Sequence, residues 1–208
     1  MTTFVNLPFR VIAVSVCAFA LSAAKPAVVI PPCECGAMKG EARWAAKTDP
    51  QLAPVNTAAV TRITPDEMYA WPVPSESVTE ARIAAEQQWY ALACRIVAIK
   101  IEADGDLHLE VENANGGSAR VVVELPCGQA WCEMRKHVCE WTKAGVLKGG
   151  RLKTVSPHNV TVIGKAFYDL EHARGGKNDR GGKTHVAVWE IHPVMKVIDG
   201  DIRLGGAL

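Results

Sequence analysis

Three pairs of imidazole and carboxylate side chains stand out along the chain: Asp106 and His108, Asp169 and His172, and Glu190 and His192. The first and last pairs are two residues apart, so in an extended strand both members leave the same face. Imidazole beside carboxylate suits a divalent cation, or a general acid and base. The plainer reading is polar strand exteriors, with His108 and His192 bonded to turns and loops; Asp104-Gly105-Asp106 is also an ordinary hairpin signal. A second set lies between Ala173 and Lys183, where Arg174, Lys177, Arg180 and Lys183 are set among Gly175, Gly176, Gly181 and Gly182. Glycine lets backbone amides approach an anion and the basic groups supply charge. A solvated hairpin loop is the alternative.

The cysteines form a third set, and the N-terminus gives them a compartment. Arg10 precedes an apolar run from Val11 to Leu21, followed by Ser22, Ala23 and Ala24. That layout reads as a secretory signal over 1–24, too short to span a bilayer, which needs about 20 apolar residues. Its removal takes away Arg10 and Cys17, leaving 22 basic against 22 acidic residues and six cysteines. An even count in an exported chain favours disulfides among Cys33, Cys35, Cys94, Cys127, Cys132 and Cys139. Cys132 and Cys139 are nearly two helical turns apart, so they do not bridge each other. The expected staples run from the arm to the barrel, and from the helix to its neighbouring loop or strand. A zinc site on Cys33 and Cys35 is the functional alternative. A neutral mature chain has no global field to recruit polyanions, which argues against nucleic acid as a general partner.

Residues 25–88 are rich in Pro and Ala, and Pro31, Pro32, Pro50, Pro54, Pro65, Pro72 and Pro74 repeatedly forbid helix or central strand. This segment reads as an extended arm anchored by Trp44 and Trp71. One short helix is expected after Thr64, where Thr-Pro-Asp-Glu supplies an N-cap, a proline and two acids. From 89 to 199 the pattern is β. Leu92–Ile101 is a long apolar run whose inward parity changes, as a bulge would require. Leu107–Val111 and Ala119–Leu125 alternate as half-buried strands. Gln129–Ala144 places Trp131, Met134, Val138 and Trp141 on one helix face. Val160–Tyr168 and His185–His192 close the order, with Pro193 beside the end of the last strand, and 200–208 is a tail. Strand, strand, strand, helix, strand, strand is the arrangement of an OB-type five-stranded barrel, mainly β with one helix. The alternative is an open α+β sandwich, but closure removes costly edges. In such a barrel the three imidazole–carboxylate pairs meet only where the loops fold toward one rim.

The segments Cys35-Gly36, Glu41-Ala42-Arg43-Trp44, Lys47-Thr48 and Ala70-Trp71-Pro72-Val73-Pro74 resemble a group of exported bacterial proteins with no assigned activity. The similarity continues through Asp104-Gly105-Asp106-Leu107-His108-Leu109, Gly164 to His172, and Glu190-Ile191-His192-Pro193-Val194. It departs after His172, where the group usually carries a shorter loop. The resemblance implies export and one integrated domain, and no reaction.

These features suggest an exported OB-like binding module for an oligosaccharide, a peptide or an envelope protein, more in keeping with a binder than an enzyme. The rivals are a metal-dependent hydrolase using Asp106, His108, Asp169, His172, Glu190 and His192, and a binder of anionic oligomers through Arg174, Lys177, Arg180 and Lys183. No cofactor is called for, save a divalent metal in the hydrolase reading. No stretch of the mature chain is apolar and long enough to cross a membrane.

Overall fold

A computed structural model describes Cys33 and residues 42–49, 60–147, 149–174 and 176–200. The expected signal over 1–24, the tail beyond Gly200 and Cys35 lie outside the described residues. The barrel comprises β2 (Trp89–Ile101), β3 (Leu107–Asn113), β4 (Arg120–Leu125), β5 (Lys153–Tyr168) and β6 (Val186–Asp199). Strands β2, β3, β4, β6 and β5 are neighbours in that order, and β5 pairs back onto β2 to close the barrel. All pairings are antiparallel except β4 with β6. This is the OB arrangement, mainly β, with one helix of more than two turns among the described residues, α3 (Cys132–Trp141), lying between the third and fourth barrel strands.

Register explains how the first barrel strand serves two neighbours. Leu92, Cys94 and Ile96 are buried in the core, and so are Ile99 and Ile101, which have the opposite parity. A register shift between Ile96 and Ala98, against both β3 and β5, absorbs the extra residue. A β-bulge thus keeps the apolar side chains inward as the strand bends. Leu107, Leu109 and Val111 meet Val121, Val123 and Leu125 inside. The alternate residues of these strands face outward, where the site lies.

The last two strands run further than the sequence pattern suggests. β5 begins at Lys153, in a polar stretch largely exposed up to Asn159. β6 continues through Pro193, across a cis His192–Pro193 bond, to Asp199. Proline is tolerated because Gly164 pairs with Val194 and Ala166 with Ile191. His192 and Pro193 therefore oppose Lys165 alone, a bulge in which proline's missing N–H breaks no ladder bond. Close approach at this point requires a glycine. A Cβ on Gly164 would lie 2.4 Å from Ile191 Cγ2 and 2.5 Å from the Pro193 carbonyl oxygen. Gly164→Ala is expected to destabilise the fold by about 1–3 kcal/mol through overpacking, read as a lower urea midpoint.

The arm packs on the barrel. A short strand, β1 (Val60–Ile63), runs parallel to the start of β2 and covers the edge that β3 leaves open. Thr64 opens α2 (Pro65–Tyr69) with a capping box to Glu67. Trp71 anchors the arm against Tyr90 and Trp189, with ring centroids 4.9 and 5.6 Å away. Near α1 (Trp44–Lys47), the deep anchor is Arg43 instead of the half-buried Trp44. Arg43 is clasped by both oxygens of Glu86 and lies 4.4 Å from the Phe167 ring centroid. Arg82 then ties Ala46 of the arm to Ala166 and His192 by donating to all three carbonyls.

The cysteines divide. Cys33 bridges Cys132, stapling the arm to the start of α3, and Cys127 is also disulfide-bonded. Cys94 and Cys139 carry free thiols, contrary to expectation. Cys94 points into the closed barrel, where burial raises its thiol pKa. Cys139 is half-buried on α3 and its thiol is pushed up to about 11, chiefly by burial.

Candidate functional site

Register alone aligns the heart of the site. His108 of β3 pairs directly with Glu124 of β4. The parallel match of Val122 with Glu190 and Val123 with Ile191 brings the outer face of β6 alongside. His108, Glu124 and His192 thus form a row across three strands. Glu124 Oε1 is 2.8 Å from His108 Nδ1, and its Oε2 is 3.1 Å from His192 Nδ1.

Two loops complete the cluster. The 102–106 turn brings Glu102 to 3.2 Å from His108 Nδ1 and Asp106 Oδ2 to 3.2 Å from His192 Nε2. Arg135 fixes this turn from behind by donating to the carbonyls of Gly105 and Leu125. The segment after β5 supplies Asp169, His172 and Arg180. Asp169 Oδ2 lies 2.6 Å from His172 Nδ1 and 2.7 Å from Arg180 Nη2, while Arg180 Nη1 donates to Glu190 at 2.8 Å. Glu190 Oε1 reaches His192 Nδ1 at 3.2 Å, so a continuous polar network runs from Glu102 to His172.

All six residues proposed from the sequence therefore belong to one network, joined by Glu102, Glu124 and Arg180. A cleft of about 130 Å³ opens over it, lined among others by Lys47, Glu102, Glu124, Asp169, His172, Arg180 and Glu190. His192 and Asp106 lie beneath, fully buried. The cleft sits between the loop joining the first two barrel strands and the loop joining the last two, on the face where OB barrels hold oligomeric ligands.

Electrostatics separates the groups. Burial alone would lower the His192 pKa, but the carboxylates of Asp106, Glu124 and Glu190 raise it well above the usual imidazole range. Glu124 is the converse: burial opposes its charge, yet His108 and His192 hold it well below the ordinary carboxylate range. Burial and the nearby charge of Glu124 push Glu190 up, against the pull of Arg180. Asp169 is held low, despite burial, by His172 and Arg180. Two carboxylates that both contact His192 thus titrate apart, a pattern that marks acid and base assignments in active sites.

The basic loop is not a uniform anion cradle. Arg174, Lys177 and Lys183 are exposed, but Arg180 is only 12 % exposed and engaged by Asp169 and Glu190. Nor does the loop swing free. Asn178 Oδ1 accepts from the backbone N–H groups of Val188 and Trp189, its amide donates to the Met68 and Tyr69 carbonyls, and Asp179 accepts from the Tyr69 hydroxyl. The chain matches no protein-family model, no curated protein and no solved structure.

Proposed function

We propose that the protein is exported and works as a hydrolase in the cleft on the OB face. The observation that carries this reading is the convergence of the Asp169–His172 pair with Glu124 and Glu190 in one cleft. Asp169 orients the His172 imidazole through Nδ1, which leaves Nε2 as the acceptor nitrogen of the neutral ring. His172 is 52 % exposed at the cleft rim, where water and substrate have access. In the proposed step, Nε2 takes a proton from water as the water oxygen attacks the scissile centre. Glu190, which keeps its proton to higher pH than Glu124, returns one to the leaving group. Glu124 remains anionic and fixes His108 and His192. Export is supported by the N-terminal pattern and by the Cys33–Cys132 disulfide. No helix among the described residues is long and apolar enough to cross a membrane.

The test is a panel of chromogenic phosphodiesters, carboxylic esters and glycosides offered to the purified protein and to His172→Ala. Turnover on one class is expected, falling about 100-fold in the variant. Its melting temperature should stay close to that of the parent, because the ring is half exposed. No turnover on any class, or full activity in His172→Ala, would return the protein to the reading of a binding module.

A further inference from the structure

We infer that Asp106, Glu124 and His192 bind one divalent cation of the zinc or manganese type beneath the cleft, an inference that rests on the cleft being the working surface. All three residues are buried, and one donor atom from each lies within 4.8 Å of the others. Three buried carboxylates and the half-buried Glu102 around two imidazoles do not by themselves make a cation site. What points to a ligand is a pair of unpartnered atoms. Asp106 Oδ2 and His192 Nε2 belong to fully buried side chains, and neither has a hydrogen-bond partner. They face each other at 3.2 Å, in ionic contact but out of line for a hydrogen bond.

Burying such atoms without a hydrogen bond is unfavourable, and their mutual ionic contact offsets only part of that. A spacing of 3.2 Å also fits the edge of a coordination shell. Bonds of about 2.1 Å place adjacent ligands roughly 3.0 Å apart in an octahedron and 3.4 Å apart in a tetrahedron. The remaining atoms are arranged as ligands require. Asp106 Oδ1 accepts from the Cys127 backbone N–H at 2.8 Å, which fixes the carboxylate plane and leaves Oδ2 for the cation. With Nε2 on the cation, His192 Nδ1–H donates to Glu190 Oε1, the carboxylate–imidazole support common behind metal-bound histidines. Glu124 lines the cleft and so connects the buried position with the outside.

One imidazole with two carboxylates favours zinc or manganese over calcium, which prefers six to eight oxygens. Glu102, His108 and Glu124 form a second close group sharing Glu124. There His108 Nδ1 is already hydrogen-bonded at 2.8 Å and no buried atom is left unpartnered, so a single cation is inferred.

The test uses the exported, disulfide-intact protein stripped with EDTA. Calorimetric titration with Zn²⁺ or Mn²⁺ should give about one equivalent, with Ca²⁺ and Mg²⁺ much weaker. Asp106→Asn, nearly isosteric, should weaken binding by at least about 100-fold. Unchanged binding in that variant, or none in the parent, overturns the inference. Should Asp106→Asn fail to fold, imidazole ¹⁵N spectra of the parent decide the matter. Zn²⁺ must then shift the buried His192, and a shift confined to the other histidines overturns the site. Failure of this inference is separable from failure of the hydrolase. Turnover that survives EDTA with no cation bound removes only the cation, whereas stoichiometric binding without turnover on any substrate removes only the hydrolase.

Discussion

Glu86→Ala is expected to lower the stability of the protein by about 3–5 kcal/mol, because it strands a buried guanidinium. Arg43 and Glu86 are 5 % and 0 % exposed, and both Glu86 oxygens accept from Arg43, at 2.8 and 2.5 Å. The same carboxylate accepts from the backbone N–H of Tyr168 at 2.7 Å and of Ile83 at 3.0 Å. Removing it leaves a charge and two backbone donors without their partner in a site closed to water. At roughly 2–4 °C per kcal/mol for a chain of this size, the melting temperature should fall by about 6–20 °C. Arg43→Met combined with Glu86→Ala should recover part of that loss, since the unpaired charge is then gone while the backbone donors remain. A fall within 2 °C for the single variant would mean that the arm is not locked to the barrel by this pair. It would also place the barrel's stability in its own core, with the arm as an accessory.

The barrel is legible in the sequence because closure and alternation leave local marks. Leu107, Leu109 and Val111 show their parity directly, and the parity change along 92–101 announces the bulge. Helix α3 follows from the spacing of Trp131, Met134, Val138 and Trp141, although the largest side chain it buries fully is Arg135. Its guanidinium donates to the carbonyls of Gly105 and Leu125, a pairing no local pattern encodes. Pro193 misleads for a related reason. It reads as a strand end, yet the pairing of β5 with β6 places it where no ladder hydrogen bond is needed.

The candidate site is legible in its parts. Asp106, His108, Asp169, His172, Glu190 and His192 carry visible chemistry at strand ends, but the residue that joins them does not. Glu124 looks like the ordinary polar partner of Val123, and its role appears only through two registers, antiparallel to His108 and parallel to β6. Arg180 misleads in the opposite direction. Among glycines and lysines it reads as an anion binder, whereas two carboxylates engage it.

Glu124→Gln should therefore separate a structural network from a working one. Both Glu124 and Glu86 are buried carboxylates in contact with nitrogen groups of basic side chains, but they differ in access. Glu86 is sealed between Arg43 of the arm and Tyr168 of the barrel, while Glu124 lines the cleft and touches both histidines. Glutamine keeps the shape and one acceptor oxygen but removes the charge that holds the two imidazoles. Turnover is expected to fall by about 100-fold, because Glu124 fixes His192, which in turn holds the acid Glu190. The stability change should be small beside that of Glu86→Ala, since the amide still bonds to its neighbours. Steady-state kinetics on the substrate class found by screening, paired with urea unfolding of the same preparation, read the two quantities together. Activity lost far beyond stability marks Glu124 as part of the machinery. A variant that loses stability while keeping turnover per folded molecule would make the network a scaffold and leave the cleft without a reaction.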